Sequence, residues 1–158
     1  MSAPAFGLTA TTEGLEGFGD ELLRGTLKVA KSTLSKAATP FARQMRNNLS
    51  RRGGPSRPGS PPAKDEGFLR AAVGKDRPRV ADDGMSVSVA VGIGVGKAKA
   101  AKVAEQKGQG VNVFEFAILH ERGGIGADGR RYPARPYARL AEAQVEAEVD
   151  QILREGLA

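Results

Sequence analysis

The sequence predicts an α+β chain, with a long kinked N-terminal helix, an extended Pro/Gly-rich connector, a small, mainly antiparallel sheet and a C-terminal helix. Three patterns predict it. Leu23, Leu27, Ala30, Leu34, Ala37, Phe41, Met45 and Leu49 recur at spacings of three or four, which gathers them on one face of a helix. Met85, Val87, Val89, Val91, Ile93 and Val95 recur at every second residue, the period of a strand with one buried side. Leu140, Val145, Val149 and Ile152 mark one face of a second helix near the C-terminus.

The elements follow in order along one expected domain, residues 1–158. Residues 1–13 have neither a basic start nor an apolar run and read as a flexible N-terminus without a signal peptide. Residues 14–50 read as helical. Pro40 lies inside the stripe and removes a backbone bond there, which predicts one kinked helix or two abutting ones. The density of Gly and Pro after Arg51 and Arg52 makes residues 51–66 an extended connector or arm. Residues 67–158 hold the sheet and the last helix. Gly67 to Val73 is open between a helical turn and a strand. Arg77 to Val80 is expected to pair with the strand Met85 to Val95 across a turn at Asp82-Asp83-Gly84. The Ser, Ala and Gly on that strand's second face suggest that something packs closely there, a helix or a partner strand. Lys97 to Gly110 reads as a loop or short helix, Val111 to Glu121 as strand turning into helix, and Gly123 to Arg131 as a loop. The final helix is expected from Pro136 to Glu155, with Pro136 in its first turn, where a missing N–H costs nothing.

Composition narrows the function classes. With 21 glycines, 9 prolines, no tryptophan and 5% aromatic residues, the chain has few large side chains to anchor a monomer. Segments that order against neighbours are expected. The absence of cysteine removes disulfides, thiolate zinc sites and thiol nucleophiles. No stretch is long and apolar enough to span a membrane, so the chain is expected to be soluble, made in a reducing cytoplasm and without a membrane partner. The net charge of +6 is unevenly placed. Leu22 to Lys64 carries ten Lys and Arg and no acid, whereas Glu142 to Glu155 carries five acids and Arg154 alone. Opposite charge at the two ends points to a polyanion partner or to attraction between copies.

The motifs give no catalytic constellation. Gly92-Ile93-Gly94-Val95-Gly96-Lys97 lacks the spacing and the following Ser or Thr of a phosphate loop, and reads as a strand entering a glycine-rich loop. His120 is the only histidine. A general base needs a positioned partner and a metal needs several ligands; adjacent Glu121 points away from it on either a helix or a strand. No cofactor or metal is expected. The basic residues Arg24, Lys28, Lys31, Arg43, Arg46, Arg51 and Arg52 admit three readings: non-specific phosphate contact with DNA, docking on the acidic helix of another copy, or a solvated charged face. Arg135 is framed by Pro133-Ala134 and Pro136, so its guanidinium comes from a stiff backbone. Anchoring against a carboxylate or carbonyls is the first reading there.

Three segments taken together resemble the tail-completion, or neck, proteins that join head to tail in long-tailed, lambda-like bacteriophages. Pro58-Gly59-Ser60-Pro61-Pro62, followed by Gly67-Phe68-Leu69-Arg70, resembles the family's Pro-Gly-x-Pro-Pro connector and Thr-Gly-x-Leu-Arg segment. Phe116-Ala117 with Glu121 and Gly123-Gly124 resembles its Tyr-Ala, acidic residue and glycine. Pro133-Ala134-Arg135-Pro136-Tyr137 resembles its Pro-Ala-Arg-Pro-Phe before a C-terminal helix. The departures are Glu66 for Thr, Phe116 for Tyr and an inserted Arg122. The resemblance implies an α+β subunit with its N- and C-terminal helices packed on the small sheet, a non-enzymatic virion protein at the head–tail junction. Such subunits assemble in the host cytoplasm into a ring, hexameric in such families, between connector and tail proteins. The resemblance also implies interface or structural roles for Pro61, Pro62, Leu69, Phe116, Glu121, Gly123, Pro133, Arg135, Pro136 and Tyr137. A tail terminator or minor protein of the tail tube shares parts of the pattern. A basic nucleic-acid-binding protein, brushing packaged or free DNA, is the rival of another class.

Overall fold

The apolar stripe of the N-terminal third does form one helix. In the computed structural model, which describes residues 5–11, 19–50, 57–60, 68–96, 113–126 and 129–157, α1 runs Asp20–Asn48. At 29 residues it is about 43 Å long. It continues through Pro40, which has no N–H to give the carbonyl of Lys36. The neighbouring carbonyl of Ser35 instead receives the Lys75 ammonium at 2.8 Å and the Thr39 hydroxyl at 3.1 Å. Side-chain donors thus serve the backbone beside the break.

The remaining elements are β1 (Ala5–Thr11), α2 (Phe68–Ala72), β2 (Val73–Lys75), β3 (Arg79–Val80), β4 (Ser86–Ile93), α3 (Val113–Arg122), β5 (Gly124–Ile125), β6 (Arg131–Tyr132) and α4 (Ala138–Leu157). The architecture is α+β. The strand of period two, β4, is central. β1 pairs with its whole length antiparallel, from Ala5 opposite Gly92 to Thr11 opposite Ser86. On the other side β2 pairs with Val91–Ile93 and β3 with Val87–Ser88. These two form one antiparallel run broken around Pro78, whose ring removes a ladder donor. The β3–β4 turn is made as the sequence predicts: the Ala81 N–H reaches Ser86, the Gly84 N–H reaches Ala81, and the Asp83 carboxylate accepts the Met85 N–H at 2.8 Å. Gly84 has φ +71°, which only glycine adopts at no cost.

Helices α1 and α4 lie antiparallel over the valine face of β4. Thr33 meets Gly156, Arg43 meets Glu148, Gln44 meets Gln144 and Asn48 meets Tyr137, so one numbering rises as the other falls. Val87, Val89, Val91 and Ile93 are at most 2% exposed, and Leu34, Phe41, Met45, Tyr137, Val145 and Val149 close the core over them. Burying one such side chain contributes about 1.5–3 kcal/mol before chain entropy is counted. Ala37, Ala38, Ala138 and Ala141 are fully buried; at these positions a larger side chain would push the layers apart.

Several expectations are corrected. The N-terminus is not uniformly flexible, since Ala5–Thr11 is a strand. Phe6, Leu8 and Ala10 alternate with Gly7, Thr9 and Thr11, a short period-two signal that becomes a strand by pairing with β4. Gly67 to Val73 resolves into both alternatives, the short helix α2 and then β2. Of Val111 to Glu121, the helical part is α3 from Val113, and the residues before it lie outside the described residues. The stretch 123–131 is not simply a loop, because β5 and β6 pair across it. The last helix starts at Ala138, two residues after Pro136, because another group caps it. On the small-residue face of β4 Ser88 is exposed, but Gly92 is buried and a Cβ on Gly94 would run into the Phe114 ring of α3, so a helix does pack closely at that end, as expected. Residues 12–18, 51–56, 61–67, 97–112 and 127–128 lie outside the described residues.

Candidate functional site

Parts of three segments singled out in the sequence, Gly59, Phe116–Gly124 and Ala134–Tyr137, meet at one place, the N-terminus of α4. The first N–H groups of any helix lack partners within it. Here they are met by Glu121, the penultimate residue of α3 and only 3% exposed. Its Oε2 accepts the N–H of Tyr137 at 2.9 Å and of Ala138 at 3.0 Å, and its Oε1 accepts that of Arg139 at 3.1 Å. A negative group is favoured at this end of the helix dipole. Arg139 completes the arrangement, with Nε at 3.3 Å from Oε1 and Nη2 at 3.2 Å from the Glu121 carbonyl. The buried carboxylate is therefore balanced by backbone donors and one cation, as a buried charge has to be.

The other two segments dock on the same knot. The Arg135 N–H donates to the His120 carbonyl at 2.6 Å, and the Gly59 N–H of the connector donates to the Ala134 carbonyl at 2.9 Å. Gly123 turns the chain out of α3 with φ +71°, and a Cβ there would stand 2.8 Å from the Ala134 nitrogen. From α1, Asn48 donates to the Tyr137 carbonyl at 2.9 Å while accepting from Gln44 at 3.2 Å. Tyr137 is fully enclosed, and its hydroxyl has no hydrogen-bond partner among the described residues. Burial, with nearby Glu121 adding to it, pushes that hydroxyl's pKa well above the usual tyrosine value.

His120 packs its ring edge-on against Phe116, with centroids 4.4 Å apart. Burial, and then the charge of Arg135, lowers its pKa from 6.5 to about 4. The ring is neutral at pH 7, and its neighbours are an aromatic edge and a cation. Among the described residues no three His, Asp or Glu come together as a metal site.

The sequence candidates separate into clear groups. Glu121, Gly123, Arg135, Pro136 and Tyr137 are in the knot or border it, with Phe116 beside them. Pro133 is exposed and Leu69 is buried in the core. Pro61, Pro62, Arg51 and Arg52 lie outside the described residues. Arg43 is not available for a neighbour in the way that its exposure suggested, because its Nη2 contacts both oxygens of Glu148 in the same chain at 2.9 Å. Arg46 likewise donates to the Val73 carbonyl at 2.9 Å. Arg24, Lys28 and Lys31 are exposed. Asn48 and Gln44 were not singled out from the sequence. The available signal was an asparagine at the end of an apolar stripe, one position from Leu49.

No family model, no curated protein and no solved structure matches this chain.

Proposed function

We propose that this chain is a structural, non-enzymatic subunit of a bacteriophage neck, a tail-completion protein whose copies form a ring joining the tail to the head at the connector. The observation that supports the reading is the convergence described above. Pro58–Ser60 is far in sequence from Phe116–Gly124 and Pro133–Tyr137, yet the three are tied together by the Gly59–Ala134, Arg135–His120 and Glu121–Tyr137 hydrogen bonds. Motifs that share one structural task account for a resemblance spread over three segments. The knot is built from backbone groups, a buried carboxylate and a neutral histidine, an arrangement suited to fixing a helix and its loop, not to turning over a substrate.

The test is the protein's place in its genome and in particles. Portal, head-completion and major tail genes on either side, with antibody label at the head–tail junction of purified virions, support the reading. Label along or at the far end of the tail tube would instead favour the tail-terminator alternative. A chromosomal neighbourhood and unlabelled particles would overturn both. One observation favours a second class, nucleic-acid binding: Arg24, Lys28 and Lys31 form no ion pair among the described residues. That reading predicts tight, steeply salt-dependent binding of duplex DNA by the monomer.

A further inference from the structure

We infer that copies of this chain associate head-to-tail, with Arg24, Lys28 and Lys31 on α1 of one copy set against Glu142, Glu146 and Asp150 on α4 of the next. The inference deepens the ring reading and rests on it only in requiring that copies meet.

The acidic row is regular. Its members are four residues apart, so they follow one stripe of α4 at intervals of about 6 Å over about 12 Å. Like charges at this spacing repel one another, and among the described residues none of the three has a cationic partner. Arg139 and Arg43 are engaged elsewhere, on Glu121 and on Glu148, and Arg154, one turn beyond Asp150, forms no ion pair with the row among the described residues. The row borders an open cleft of about 410 Å³ between β1 and α4, with Leu8, Phe41, Val145 and Val149 among the residues that line it. The site therefore combines uncompensated negative charge with an apolar floor.

The basic row has the matching repeat. Arg24 and Lys28 are four apart and Lys31 is three further on, spanning about 10.5 Å of helix. Leu22 and Val29, 50% and 49% exposed, lie on the other side of α1, beside Gly156 and Leu157, so the basic row meets the acidic row through charge.

The two rows cannot satisfy each other within one chain. Arg43 meets Glu148 and Thr33 meets Gly156, so even the facing ends of the rows, Lys31 and Asp150, are about ten residues or roughly 15 Å apart along α1. A surface and its complement at separate places on one molecule make a heterologous contact, the kind that closes into rings when the rotation allows. A DNA partner would account for the basic row alone and leave the acidic row and its cleft unexplained. A second copy accounts for both.

Sedimentation velocity and native mass spectrometry of the full chain over a range of concentration and salt test this, with Lys28→Glu, Glu146→Lys and the double exchange. Both positions are exposed, so circular dichroism should show all three variants folded. Expected are wild-type assembly that weakens with salt, association weakened at least about tenfold in each single variant, and recovery to within about threefold of wild type in the double variant. Assembly in the single variants equal to wild type, or no recovery in the double exchange, overturns this interface and leaves the ring reading standing on another surface. A chain that stays monomeric throughout overturns both. Duplex DNA bound by such a monomer, and lost in Lys28→Glu, would transfer the basic row to nucleic acid.

Discussion

Replacing Glu121 probes the seat of α4 directly. In Glu121→Ala the N–H groups of Tyr137 and Ala138 lose their acceptor in a buried setting. Each orphaned buried donor costs about 1–3 kcal/mol. The Arg139 N–H is only partly buried, so water replaces some of that bond. The Arg139 guanidinium is 64% exposed, and its ion pair is worth about 0–1 kcal/mol. The total is about 3–5 kcal/mol, a large part of the roughly 5–15 kcal/mol that holds a typical domain. For a chain of this size, that lowers the melting temperature by about 6–20 °C. Glu121→Gln keeps one acceptor oxygen but turns a donor toward the remaining N–H groups, and should lose about half as much. Urea unfolding followed by far-ultraviolet circular dichroism reads both, provided the m-value is unchanged. A loss under about 1 kcal/mol in Glu121→Ala, with α4 intact, would refute the view that this carboxylate seats the helix.

Three further outcomes follow from the same knot. His120 has a folded pKa of about 4 against 6.5 unfolded, so its contribution is full above pH 6.5 and is lost as pH falls toward 4, where the unfolded chain takes up a proton that the folded chain refuses. The loss is about 3 kcal/mol at most, nearer about 2 after allowing for partial solvent access. His120→Gln should flatten that part of the stability–pH curve, and an unchanged slope in the variant would assign it elsewhere. Arg135→Ala removes one of the two causes of the lowered value, so a proton NMR titration of this single histidine should move upward from about 4; no movement would mean that burial alone sets it. Tyr137→Phe deletes a buried hydroxyl with no partner among the described residues, and should leave stability equal or raised by up to about 1 kcal/mol; a clear loss would reveal a hydrogen bond that the hydroxyl does make.

The candidate site was legible in part. Pro133–Tyr137, Glu121 and Gly123 stand out from the sequence as motif positions, yet nothing local says that they touch. Glu121 and Tyr137 are sixteen residues apart, with β5 and β6 between them. Read alone, Glu121 is simply an acid at the end of a short apolar helix. Its burial and its three backbone donors exist only once α3 and α4 are packed. The same holds for Asn48, whose amide would pass for an exposed helix end until Tyr137 is brought beneath it. Arg43 shows the converse, since its exposure suggested an outside partner and the packing of α1 on α4 supplied Glu148 from within.

By itself the sequence determined α1, α4, β4 and the turn at Asp82–Gly84. In each of these the residues that share a face or a turn are neighbours along the chain, so periodicity and turn chemistry state the structure directly. Only the tertiary structure decided that Ala5–Thr11 is a strand, that β5 and β6 pair, and that α4 begins at Ala138 and not in the turn of Pro136. A two-residue strand has no period to read, and the short alternation of Phe6, Leu8 and Ala10 becomes a strand only through the hydrogen bonds that β4 supplies. A helix start set by a carboxylate on another element depends on contacts that no local stretch of chain contains.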